Sequence, residues 1–130
     1  MSSQNKIIIQ SESSGVLRLG PRYGEYLDLE LEHHSLRAST KIYLYEDNVS
    51  LLSFFEGLSQ RWQGWDDIKT WSSVEGDLKL SSSIDSLGHV SFGLDMANTV
   101  ISPGWLIKTT LVVDAGSLAL LAQQARNVLS

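Results

Sequence analysis

The chain has no cysteine. Disulfides and thiolate metal sites are therefore excluded, and nothing ties the protein to an oxidising compartment. Long apolar runs are also missing. The opening stretch MSSQNKIIIQSESS holds three consecutive isoleucines, too few for the apolar core of a secretory signal. No segment approaches the roughly 18 apolar residues of a membrane span. A cytoplasmic protein with no membrane partner is expected. A basic excess is lacking too: ten Lys and Arg stand against fifteen Asp and Glu, a net charge of −5. Phosphate-backbone binding needs a basic face, so no nucleic-acid partner is expected.

The common signatures of chemistry are absent as well. There is no HxxxH or HExxH pattern for a metal, no GxSxG elbow, and no GxGxxG or GxxxxGK phosphate loop. His33 and His34 are adjacent. On a strand they would point to opposite faces and would not share a metal ion. No cofactor, metal or catalytic residue is assigned. An acid–base role for His89 with Asp85 or Asp95 is the one enzymatic reading the sequence offers. A non-enzymatic protein is the expectation.

What is present is an ordinary globular composition. Hydrophobic residues make up 42% of the 130 and charged residues 19%, a profile that supports one domain with a real core. The acidity is concentrated. Residues 41–85 carry eight acidic and four basic side chains, whereas the last 45 residues balance. Such a bias permits a basic protein partner steered by charge.

Alternation dominates the pattern. Lys6–Gln10 reads as a first strand and Val16–Leu19 as a second, ended by Gly20-Pro21. In EYLDLELEHH (25–34), leucines alternate with acids, and LRASTKIYLYE (36–46) alternates again. A tight turn between them sets Leu31 against Ala38 and Leu27 against Ile42 on the core side. Outside, Glu32 meets Arg37, Asp28 meets Lys41 and Tyr26 meets Tyr43. A second hairpin sets Ile84 against Val90, Leu80 against Leu94 and Lys79 against Asp95. A last strand follows over Trp105–Val113.

Two helices are predicted. Asp47 or Asn48 caps the first, whose apolar stripe is Leu51, Phe54, Phe55, Leu58 and Trp62, with Gly64 as its stop. Asp114 or Ser117 caps the second, with Leu118, Leu121, Ala122, Ala125 and Leu129 facing inward. The two stripes match at an offset of 67, which carries Asp47 to Asp114, Leu51 to Leu118 and Phe54 to Leu121. The reading is an α+β fold: an antiparallel sheet of about six to eight strands with two helices packed on one face. Half-repeats over 1–64 and 65–130 within a single domain are expected.

The densest chemistry lies in RWQGWDDIKTW (61–71), with three tryptophans and two aspartates. Tryptophan is strongly enriched among interface hot spots. Trp65, Asp66, Asp67, Trp71, Glu75 and Asp77 are taken as a partner-binding edge. The second functional reading is a small-ligand site, with an aromatic pocket between sheet and helices.

On LLSFFEGLSQRWQGW, Trp71, DLKLSSSI, GHVSF at 88–92, the Trp105 strand and the closing helix, the chain resembles a family of small uncharacterised bacterial proteins. The likeness spans roughly residues 25 to 129. It implies no catalytic residue. In size, acidity and class the chain also resembles immunity proteins, which bind and silence a toxin. A protein of the immunity or antitoxin kind, acting on a basic partner, is the functional expectation.

Overall fold

The computed structural model describes residues 5–130. The first four residues, part of the stretch read as lacking a secretory core, lie outside the described residues. The described residues form eight strands and two helices: β1 (Ile7–Gln10), β2 (Val16–Tyr23), β3 (Tyr26–His33), β4 (Leu36–Tyr43), α1 (Asn48–Gln60), β5 (Lys69–Ser72), β6 (Leu78–Ile84), β7 (His89–Asn98), β8 (Trp105–Asp114) and α2 (Leu118–Leu129). A 3₁₀ turn, Ala115–Ser117, leads into α2. No helix among the described residues is long and apolar enough to cross a membrane.

The fold is α+β, with all strand pairs antiparallel between chain neighbours. The strands divide into two four-stranded sheets, β1-β2-β3-β4 and β5-β6-β7-β8, rather than one. The sheets meet at β1 and β8. There Glu12 N–H donates to the Val112 carbonyl, and Val112 N–H donates to Ser11 Oγ. Both contacts fall beyond Gln10, the last residue of β1, so no ladder propagates between the sheets.

The registers follow from alternation and charge. In β3–β4, Leu27 pairs with Ile42, Asp28 with Lys41, Leu31 with Ala38 and Glu32 with Arg37. In β6–β7, Leu80 pairs with Leu94 and Ile84 with Val90. A slip of one residue would turn every core leucine to solvent. The strand β2 departs from the expectation. It runs through Gly20-Pro21 to Tyr23, and a register shift between Leu19 and Arg22 absorbs the proline. Gly20 has φ +128°, and a Cβ there would lie 2.3 Å from the Asn5 carbonyl oxygen. Only glycine fits this bulge.

The core is continuous. Inward residues of both sheets and the apolar faces of both helices form one buried cluster, in which Phe55 and Phe92 are the largest fully buried side chains. The helices pack side by side, and each reaches the other half of the chain. α2 lies against β1 and β2, and α1 against β5. Trp62 was expected in the core but is 57% exposed. The helix ends at Gln60, and a turn closed by Arg61 N–H to Leu58 O and Gly64 N–H to Arg61 O carries Trp62 outward. Asp47 occupies the N-cap of α1 without a side-chain cap bond, whereas Asp114 accepts from Gly116 N–H at the second helix entry.

The halves repeat in element order, four strands and then a helix, and partly in register. Shifting by the 67 positions from Asp47 to Asp114 carries the pair Asp28–Lys41 onto Asp95–Lys108, and Leu27–Ile42 onto Leu94–Thr109. It also carries Tyr26–Tyr43 onto Gly93–Thr110. The same hairpin is thus built twice, with tyrosines on the outer face of the first copy only.

Candidate functional site

The six residues taken as a partner-binding edge do not lie along one exposed edge. Trp65 and Trp71 are each 8% exposed. Their rings fill the core, and their polar ends are satisfied: Trp65 Nε1–H donates to the Ser82 carbonyl at 3.2 Å, and Trp71 Nε1–H to Ser50 Oγ at 2.8 Å. An indole suits this place, since its body is apolar and its single donor needs one acceptor. Asp66 and Asp67 are exposed in the connecting turn. Glu75 and Asp77 lie elsewhere, in the wall of a cleft. The structure brings these two together and leaves the other four apart from them.

That cleft has a volume of about 880 Å³. One wall is the solvent-side face of β3 and β4, with Tyr26, Asp28, Lys41 and Tyr43. The other is the turn before β6, with Glu75 and Asp77, and the loop Asn98–Ile101. Asn98 Nδ2 donates to Thr40 Oγ1 at 3.3 Å and ties the second wall to β4. The second functional reading puts an aromatic pocket between sheet and helices. The middle of that space is filled by side chains such as Phe55, Phe92 and Leu51, each at most 1% exposed, but its edge is open. A smaller apolar groove of about 430 Å³ runs between α1 and β5, past Phe54 and Trp71.

Three of the chain's four tyrosines line the cleft. Tyr26 and Tyr43 meet edge to face at 4.9 Å, and Tyr43 and Tyr45 at 4.3 Å. The Lys41 ammonium sits over the Tyr26 ring, 5.2 Å from its centroid, a cation–π contact. The Tyr45 hydroxyl donates to Glu75 Oε2 at 2.8 Å. That bond, then burial and the Glu75 charge, hold the Tyr45 phenol above its ordinary pKa.

Tyr45 owes its place to an unusual turn. Tyr45 and Glu46 have φ of +53° and +61°, a region side chains other than glycine seldom adopt. Glu25 holds them there: its carbonyl accepts from Leu44 N–H and its Oε1 from Glu46 N–H. In the second half the equivalent stretch, Leu111–Val113, simply continues β8. The first half breaks its strand where the second does not, and the break puts Tyr45 in the cleft.

The cleft's charges lean acidic. Asp28, Glu30, Glu75 and Asp77 line it against Lys6 and Lys41. Glu30 is paired with Arg18 at 2.9 Å. Beside it, Arg18 and Arg37 both bond Glu32. The hydrogen bond from Arg37, then that from Arg18, pulls the Glu32 carboxyl below its usual range.

The histidines lie outside the cleft. His89 Nδ1 is 3.1 Å from Asp85 Oδ2, while Asp95 pairs with Lys108 further along β7. His33 and His34 do not point to opposite faces. His34 takes φ +56° in the turn, and the two rings meet edge to face at 4.6 Å. Among the described residues no group of three or more His, Asp or Glu side chains is placed to hold a metal ion.

Sequence reasoning set Tyr26 against Tyr43 on an outer face, yet did not select them as site residues. Tyr45 and Asn98 reach the cleft only through the left-handed turn and the crossing loop, which no local pattern marks.

A family model, described as a family of unknown function (DUF6228), matches residues 8–130, and the chain belongs to that family. No curated protein and no solved structure matches it significantly.

Proposed function

We propose that this member of a family of unknown function is a non-enzymatic binding protein of the immunity or antitoxin kind, which occludes a basic partner protein at the tyrosine-lined cleft. One observation carries the reading: the two hairpins share register and an Asp–Lys pair, but only the first has aromatic rings on its outer face. Gly93 and Thr110 stand where the first hairpin has Tyr26 and Tyr43, so strand pairing alone does not require tyrosines. Aromatic rings beside carboxylates are the chemistry that grips cationic side chains. The chain's net charge of −5 adds long-range attraction to a basic surface. The lack of cysteine is compatible with a cytoplasmic setting.

The test is capture from the native host's lysate, with the purified chain as bait at low and moderate salt. The expected result is a stoichiometric basic protein, weakened by salt, whose capture falls when Tyr45 and Glu75 are changed to Leu and Gln. A bait that retains no basic protein at either salt overturns the reading.

A further inference from the structure

The cleft also indicates which part of a basic partner it takes. Asp77 lines it and is 7% exposed. Its Oδ1 accepts from the Thr99 hydroxyl at 3.0 Å. Its Oδ2 has no hydrogen-bond partner among the described residues, and neither Lys6 nor Lys41 forms an ion pair with it there. Asp77 Oδ2 is not among the sealed, unsatisfied oxygens, so it stays open to the cleft, where a donor from outside can reach it.

Glu75 stands two residues away on the same turn and holds the Tyr45 hydroxyl. Tyr45 in turn packs edge to face on Tyr43. At the far end of this row of rings, Lys41 already rests on Tyr26. The first ring therefore holds a cation that the chain supplies itself. The last ring, whose hydroxyl is bonded to Glu75, has no such cation among the described residues.

We propose that Tyr43, Tyr45, Glu75 and Asp77 form a subsite for one arginine side chain of the partner. A guanidinium presents several donors in a plane, so it can bond a carboxylate and lie against a ring together. A lysine ammonium offers the charge without the planar fork. This inference rests on the reading of the cleft as the partner site.

The probe is N-acetyl-arginine N-methylamide, titrated into the full chain and followed by two-dimensional NMR. Saturable shifts are expected at Tyr45, Glu75, Asp77 and Asn98, with weaker binding of the lysine analogue and none of the glutamate analogue. Asp77→Asn should weaken binding at least about fivefold, which is about 1 kcal/mol. Because Asp77 is buried and its substitution can disturb the fold, Tyr45→Leu at a half-exposed ring provides a second variant with the same expected direction. Shifts that stay linear to high concentration, or that the glutamate analogue reproduces, overturn the subsite. Salt-sensitive capture of a basic protein by a chain that ignores the arginine probe removes this inference and leaves the proposed function standing. Arginine binding at the cleft with no basic protein captured does the reverse.

Discussion

Trp62 and Trp65 stand three positions apart and have opposite roles. Trp65 buries its ring and gives its indole N–H to Ser82, whereas Trp62 is more than half exposed. Trp65→Ala should therefore cost about 3–5 kcal/mol of unfolding free energy, while Trp62→Ala should change it by less than about 0.5 kcal/mol. Urea denaturation of the two variants separates them; equal losses would place both rings in the core. The density of tryptophan in 61–71 was legible in the sequence. Which ring turns inward was not, because that depends on where α1 ends, and the stripe Leu51–Phe55–Leu58 continues formally to Trp62. The pair His89 and Asp85 gives a second prediction at this scale. The Asp85 hydrogen bond, then its charge, raises the His89 pKa above 6.5, and the His89 backbone N–H heads the causes that lower Asp85 below 3.8. The raised histidine contributes stability that is full below its unfolded value and is lost as pH rises through the folded one. The lowered carboxylate contributes stability that is full above its unfolded value and is lost as pH falls through the folded one. The pair is thus at full strength between those two ordinary values. His89→Gln should lower Tm more at about pH 5 than at about pH 8.5, and a pH-independent difference would remove the pair from the account. Both groups are exposed, so the effect will be small.

At the scale of elements, the hairpins β3–β4 and β6–β7 were readable because two signals agree. Leucines recur every second residue, and opposite charges such as Asp28 and Lys41, or Lys79 and Asp95, fall opposite each other in the same register. The helices were readable by spacing. Two features were not. The bulge in β2 looks like a strand end, since Gly20-Pro21 is also a turn signal, and only its positive φ and the close approach of Asn5 explain why glycine is there. The turn after β4 gives no composition cue, since Tyr and Glu rarely take positive φ. Its strain is testable. Glu46→Gly keeps the backbone N–H that Glu25 accepts, and it removes the Cβ that makes φ +61° unfavourable. That change should raise stability by up to about 1 kcal/mol, the left-handed cost less the extra chain entropy of glycine. Chemical denaturation checks it. A loss of stability would mean that the Glu46 side chain supports the turn in a way its backbone does not.

At the scale of the molecule, the repeat in sequence does not make two independent units, because each helix serves the other half's sheet. α2 lies on β1 and β2, where Gln124 Oε1 accepts from Ile8 N–H at 3.0 Å. Arg22 and Asn48, both in the first half, donate to the Leu129 carbonyl at the end of α2. α1 lies on β5, where Ser50 accepts from Trp71. The cleft has the same origin: Tyr45 meets Glu75 and Thr40 meets Asn98, pairs that no local pattern joins. That is why the sequence located Glu75 and Asp77 as acids but not the rings they face. The arrangement sets an expectation for the separate halves. A chain of about 65 residues buries only about 60% of its unfolded surface, which leaves it marginal even with a complete core. Here residues 1–64 alone would leave the β1–β2 face without α2, and residues 65–130 alone would leave β5 without α1. Neither fragment should show the dispersed NMR spectrum of a fixed core. Mixed in equal amounts, they should recover it, together with the edge-to-face tyrosines of the cleft, because the contacts that were cut are apolar and complementary. A first half that folds alone would show that α1 can cover β1 and β2 as well as α2 does. The exchange of helices would then be a consequence of the chain's connection rather than a requirement of its core.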